Sequence, residues 1–286
     1  MPARKADEFR LEVGKAVIGI ICPDKEYADS FSDYFGTPHS EKNPDVTLTL
    51  NLVNHEDDIS IPDSLFTTKS VAGKTIHFAD DIVVGTIGQG PDEIELSVKI
   101  MLTHASVTRV FEQLLYQAFY SACGIISYDS LLLHSSGVIY RGDGFLFTGP
   151  SGTGKSTIAS LSRSHHVIND EICLLEFNDG GGITLRGTPY NGNFKDKKSG
   201  SAPLKAIFLL GHGTAHSIKS IEKGRAIPTL AKEIIPPVAL HENFSPSIFI
   251  RMLDMAERAY SMVPVYRLEF LPDSGFWAAI DDLYRR

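Results

Sequence analysis

One octapeptide constrains this chain more than any other stretch. Gly149-Pro-Ser-Gly-Thr-Gly-Lys-Ser156 has the form G-x-x-x-x-G-K-[S/T] of a phosphate-binding loop. The run before it, Gly144-Phe-Leu-Phe-Thr148, is apolar and β-prone, and the run after it, Thr157-Ile-Ala-Ser-Leu161, can continue as a helix. Strand, glycine turn and helix start therefore follow one another as a phosphate cradle requires. Gly149, Gly152 and Gly154 let the backbone turn tightly and aim N–H groups inward. A helix beginning near Lys155 adds the positive end of its dipole. Lys155 can reach the β- and γ-phosphates, and the Ser156 hydroxyl can hold Mg²⁺. The expected nucleotide contacts are Gly149, Pro150, Ser151, Gly152, Thr153, Gly154, Lys155, Ser156 and Thr157.

The 286 residues allow one large domain or two ordinary ones. A net charge of −8 argues against nucleic acid or an anionic membrane as the main partner. The local basic cluster Lys195-Asp-Lys-Lys198 reads as a solvated loop. Cys22, Cys123 and Cys173 are odd in number and widely spaced, which fits buried free thiols in a reducing cytoplasm rather than a disulfide framework or a zinc site. No apolar run reaches membrane-spanning length, and the first residues lack the apolar core of a signal peptide. A cytoplasmic protein is the expectation.

The chain divides into a small α+β lobe, residues 1–124, and a catalytic domain, residues 125–286. In the lobe, 9–13 and 46–52 alternate as strands and 16–22 is continuously apolar. Asp24 can cap a short helix ending at Gly36, and 75–78, 81–84 and 93–98 continue a strand-rich pattern read as an antiparallel sheet. Val107, Val110, Phe111, Leu114, Leu115, Ala118 and Phe119 recur at three- and four-residue steps, predicting a long amphipathic helix that joins the two parts. The second part predicts a strand over 130–140, a tight turn over 141–144, the loop strand, one strand over 166–175 with acids partway along it, and a hairpin turn at 178–182. A strand then loop over 183–190, strands over 204–210 and 265–270 and helices over 227–235, 247–262 and 274–284 complete it.

Phosphoryl transfer needs a metal and a group that positions or deprotonates the acceptor. Asn169-Asp-Glu171 interrupts an apolar strand with adjacent carboxylates. Neighbouring strand residues point to opposite faces, so Asp170 and Glu171 should divide the work unless a bulge or strand end re-aims one. One would meet Mg²⁺, the other would serve as base or support. His134, on the strand leading into the loop hairpin, could contact the γ-phosphate or the Asp170 carboxylate. Arg186 and Thr188 are candidates for the mouth of the site, 191–198 for a lid, an acceptor-peptide loop or an ordinary surface loop, and Arg251 and Arg267 for anion contacts. Tyr266 and Trp277 read as core.

His134-Ser-Ser-Gly-Val, the loop at 149–156 and Ile168-Asn-Asp-Glu171 occur in this order at close range. Together they resemble the core of bacterial HPr kinase/phosphorylase and, more distantly, of ATP-dependent phosphoenolpyruvate carboxykinase. The nearest resemblance is to HPr kinase-related proteins of peptide-modification gene clusters, through Gly187-Thr-Pro-Tyr190 and Val263-Pro-Val-Tyr-Arg-Leu268. The resemblance implies a carboxykinase-like P-loop domain with a mixed sheet. It implies Asp170 as catalytic base, Glu171 as the second acid, His134 in the active site, and Ser156, Glu171 and Asp170 around Mg²⁺. HPr kinases form hexamers, so it also raises a homo-oligomer. The long glycine-rich signature with Glu and Arg that follows the catalytic strand in HPr kinases has no counterpart here.

The expected function is a kinase moving the γ-phosphoryl group of Mg-ATP to a hydroxyl, serine of a peptide or protein, with Asp170 taking the proton and Lys155 and Mg²⁺ offsetting charge. Alternatives are a small-metabolite kinase acting, for example, on free serine, and a non-catalytic nucleotide-dependent peptide-binding module.

Overall fold

A computed structural model describes residues 7–22, 25–35, 40–53, 82–89, 94–101, 107–239 and 245–285. The chain is mixed α/β, with a small sheet in its N-terminal part and a larger mixed sheet in its C-terminal part. It forms two compact units, Met1–Tyr128 with Pro237–Pro246, and Asp129–Pro236 with Ser247–Arg286.

The first unit contains β1 (Asp7–Val13), β2 (Ala16–Cys22), α1 (Lys25–Phe35), β3 (Val46–Val53), β4 (Ile82–Gln89), β5 (Ile94–Met101) and α2 (Val107–Ile125). The strand order is β1-β2-β3-β5-β4. The outer pairs are antiparallel, but β2 and β3, and β3 and β5, run parallel. The sheet is therefore mixed where the sequence predicted an antiparallel one. Alternation fixes which residues share a face, not which strand lies alongside or in which direction. A parallel neighbour needs a crossover, and α1 lies in that connection between β2 and β3. The stripe predicted on α2 is its buried face: Phe111, Leu114, Leu115, Ala118 and Phe119 are fully enclosed. Phe111 stacks on Phe31 of α1, ring centroids 4.0 Å apart. The predicted strand at 75–78 and the caps at Asp24 and Gly36 lie outside the described residues.

The second unit contains β6 (Ser130–Tyr140), β7 (Asp143–Thr148), α3 (Lys155–Leu161), β8 (His166–Asn169), β9 (Ile172–Phe177), β10 (Ile183–Gly187), β11 (Ser201–His212), β12 (Ser217–Ser220), α4 (Lys223–Ala231), α5 (Pro246–Met262), β13 (Val265–Phe270) and α6 (Phe276–Tyr284). Its eight strands run β10-β9-β6-β7-β11-β13-β12, with β8 on β6 and a further pairing of β10 with the start of β11. β6 and β7 form a hairpin whose turn uses Arg141 at φ 53° and Gly142 at φ 89°, the left-handed pair of a two-residue turn. β7, β11 and β13 are parallel, so their carboxyl ends lie at one edge. Phe145, Phe147, Phe208, Phe270, Phe276 and Trp277 enclose Ile158 of α3 in one apolar cluster. Trp277 is core as the sequence predicted, and its Nε1 donates to the Ser162 hydroxyl (3.1 Å). Tyr266 is partly buried and stacks on Phe208, centroids 5.7 Å apart.

Two boundaries differ from the sequence reading in ways that matter. The strand predicted over 166–175 is broken into β8 and β9, with Asp170 and Glu171 in the gap. The helix predicted over 227–235 runs instead from Lys223 to Ala231. Residues 232–235 leave it because Ile234 forms a bridge to Leu133 of β6 and Ile235 donates its N–H to the Leu132 carbonyl (2.9 Å).

Candidate active site

The glycine loop leaves the carboxyl end of β7 and enters α3. Gly149, Gly152 and Gly154 have φ of 149°, 83° and 102°. At Gly154 the constraint is double, because an added Cβ would also lie 2.7 Å from the Phe270 ring. Thr153 closes the turn, donating its N–H (3.2 Å) and hydroxyl (2.7 Å) to the Pro150 carbonyl. The buried Ser136 hydroxyl of β6 donates to the Lys155 carbonyl (2.7 Å) and so ties the first turn of α3 to the sheet. Pro150, Ser151, Gly152 and Thr157 are exposed, Thr153 and Ser156 half-buried, and Lys155 buried. Lys155 Nζ donates to the Gly149 carbonyl (2.6 Å). Burial holds its pKa below the usual lysine value, opposed by the charges of Glu233 and Glu171.

Those two carboxylates flank His134. Glu171 Oε1 is 3.3 Å from Nε2 and Glu233 Oε2 is 3.6 Å from Nδ1. The Glu171 and Glu233 carboxylates raise the pKa of His134 to about 9, against burial and the charge of Lys155. The imidazolium is thus the form present at neutral pH. His134 meets Glu171 where the sequence suggested the γ-phosphate or the Asp170 carboxylate.

The topology explains why these groups converge. On one side of β6, residues 130–134 pair with β9 and residues 137–139 with β8. On the other side, residues 135–140 pair with β7, while 132–134 meet the segment 233–235. His134 and Ser135 sit where the neighbours change on both sides. Ser135 donates its N–H to the Glu171 carbonyl (2.9 Å), His134 donates its N–H to the Glu233 carbonyl (2.8 Å), and Thr148 Oγ1 donates to the His134 carbonyl (2.8 Å).

Asn169 makes the break between β8 and β9. Its fully buried Oδ1 accepts from the N–H groups of Asp170 (2.8 Å), Glu171 (2.8 Å) and Ile172 (3.3 Å). Its Nδ2 donates to the Thr188 carbonyl, the Thr188 hydroxyl and the Tyr190 carbonyl at 3.0–3.1 Å. A side chain that outcompetes the ladder in this way ends a strand. The break sends the two acids apart. Glu171 is 40% exposed beside His134, whereas Asp170 is 0% exposed. Asp170 Oδ2 accepts the N–H groups of Asn193 and Phe194, both at 3.0 Å, and Oδ1 is buried without a hydrogen-bond partner. A Cβ at Gly192 would collide with that carboxylate. The segment predicted as a lid, 191–198, is thus anchored on Asp170. It is anchored again by Lys197 Nζ, which donates to the carbonyls of Thr188 (3.2 Å), Pro189 (3.2 Å) and Tyr190 (2.8 Å). Burial lowers the Lys197 pKa to about 8.

The softer candidates have structural partners. Arg186 forms a two-pronged pair with Glu176, Nε and Nη2 each 3.0 Å from Oε2. Thr188 is buried and donates to the Ile172 carbonyl (2.6 Å). Arg267 donates to the Leu210 carbonyl (2.9 Å), and Arg251 lies on an exposed face of α5. Lys195 and Lys198 are exposed. All three cysteines are free and buried.

The family model described as SynChlorMet cassette protein ScmC matches residues 103–285 of the 286. The chain belongs to the ScmC family. No curated protein matches it in sequence. Every group of the candidate site in this ScmC family member lies inside the matched region. Among the described residues no three His, Cys, Asp or Glu side chains converge as a metal site, and no helix is long and apolar enough to cross a membrane. Sequence reasoning missed Glu233 and the structural part of Asn169. Nothing in the local sequence marks Glu233, since only the pairing of 233–235 with β6 brings it to His134.

Proposed function

We propose that the protein transfers the γ-phosphoryl group of Mg-ATP to a hydroxyl, that of serine in a peptide or protein. The observation that carries this reading is the convergence of Lys155, His134, Glu171 and Glu233 beside a glycine loop. The loop N–H groups and Lys155 would bind the phosphates. The positive-φ glycines and the half-buried Ser156 fit that role. Mg²⁺, which offsets phosphate charge when bound, would be held by the Ser156 hydroxyl and by phosphate oxygens. The His134 imidazolium supplies a second positive group for charge on the transferring phosphoryl. The description of the family as a cassette protein suits an acceptor encoded in the same gene set.

The acceptor proton goes to a carboxylate. The geometry favours Glu171, which is half-exposed beside His134 and Lys155. Asp170, the base that the family resemblance implies, keeps one open oxygen, and that oxygen is covered by the backbone at Gly192. It would serve only after residues 191–194 lift away.

Phosphate incorporation measured by mass spectrometry tests both levels. The wild type should phosphorylate a peptide encoded beside its gene in preference to free serine, and Lys155→Ala should not. Glu171→Gln should lower transfer by about 10²–10⁴-fold while ATP still binds. If Asp170→Asn loses transfer and Glu171→Gln does not, the proton belongs to Asp170. ATP turnover absent with every hydroxyl acceptor removes the kinase reading.

A further inference from the structure

Glu233 has a peculiar position. It lies just past the end of α4, in a turn where its own N–H donates to the Leu230 carbonyl (3.0 Å). Its backbone carbonyl receives the N–H of His134, and the next two residues are fastened to Leu133 and Leu132. Backbone and side chain of Glu233 therefore both meet the same histidine. Its carboxylate is only 8% exposed, yet it faces a ring nitrogen and the charge of Lys155 rather than a surface partner. A buried carboxylate is costly unless a cation compensates it, so the arrangement is built around His134 and Lys155. The groups facing the His134 ring are Glu171 at Nε2, Glu233 at Nδ1, and Lys155.

We propose that Glu233 is a positioning residue: its carboxylate, 3.6 Å from Nδ1 of His134, forms an ion pair that orients the ring so that Nε2 lies 3.3 Å from Glu171. A histidine has two ring nitrogens, and the partner of one decides where the other points. Without Glu233 the ring can rotate about its χ angles, and Glu171 loses a fixed partner. This inference rests on the phosphotransfer reading for its kinetic consequence only; the ring geometry stands or falls by itself.

The experiment uses the full-length wild type, Glu233→Gln and Glu233→Asp, with His134→Gln to assign the ring signals. Long-range ¹H–¹⁵N spectra at neutral pH should show a proton on Nδ1 of His134 in the wild type and a displaced Nδ1 signal in Glu233→Gln. Turnover with Mg-ATP should fall by about 10–100-fold in Glu233→Gln, the scale seen when the partner of a metal-ligating histidine is removed. Glu233→Asp should recover part of it, and ATP affinity should change far less than turnover. A wild-type Nδ1 that bears no proton overturns the proposal without any variant. So do ring signals that are unchanged in Glu233→Gln, or in Glu233→Asp if the first variant does not fold. A displaced Nδ1 signal in a protein whose wild type transfers no phosphate leaves Glu233 as the holder of His134 and removes the kinase reading instead.

Discussion

His134 carries positive charge between two carboxylates, and its pH response follows from that. Its pKa is raised from 6.5 to about 9. The folded state then binds this proton more tightly than the unfolded chain does. The stabilisation is complete below about pH 6.5 and is lost as pH rises through about 9. Urea titrations of the wild type and His134→Gln should differ more at pH 6 than at pH 9.5; an equal difference at both would show that the ring is not charged. Cys173 gives a second residue-scale prediction. Burial pushes its thiol up to about 12, and the Sγ lies 3.6 Å from the Ser135 carbonyl. A thiolate is the reactive form, so iodoacetamide should leave Cys173 unlabelled in the native protein and label it after unfolding.

At the scale of an element, the gap between β8 and β9 decides what the acidic pair can do. An uninterrupted strand would put Asp170 and Glu171 on opposite faces at fixed spacing. The Asn169 side chain replaces that ladder with its own set of hydrogen bonds. Asn169→Ala would leave buried N–H and carbonyl groups without partners, a cost of ~2–4 kcal/mol at ~1–3 for each unsatisfied group with partial relaxation. A shift in the urea midpoint measures it, and a loss below ~1 kcal/mol would mean that the gap is held by other contacts. The turn over Asp170 makes a matching prediction. Gly192→Ala places a methyl group against a fully buried carboxylate, and overpacking of this kind costs ~1–3 kcal/mol. Faster hydrogen exchange at Asn193 and Phe194, whose N–H groups point at Asp170, should accompany it; unchanged exchange would argue that the turn absorbs the methyl without moving.

The whole molecule comprises two compact units, each with buried apolar residues of its own, and the glycine loop belongs to Asp129–Pro236 with Ser247–Arg286. Ligand binding stabilises what binds it by ~2.7 kcal/mol at a hundredfold excess over Kd. Calorimetry should therefore show unfolding that departs from a single two-state transition, with Mg-ATP raising one component in the wild type and none in Lys155→Ala; a uniform shift of the entire curve would mean that the units unfold together. By itself the sequence determined the glycine loop, the hairpin before it and the periodic face of α2. Each of these depends on neighbours within a few residues, through φ values only glycine tolerates easily, through helical or strand spacing, or through turn chemistry. The tertiary structure alone decided strand direction in the first sheet, the break at Asn169, the full burial of Asp170, and the arrival of Glu233 at His134. Residues 134 and 233 are far apart in sequence, and they meet because β6 changes partners on both sides at His134. That is a property of the sheet as a whole, so no local pattern of residues could carry it.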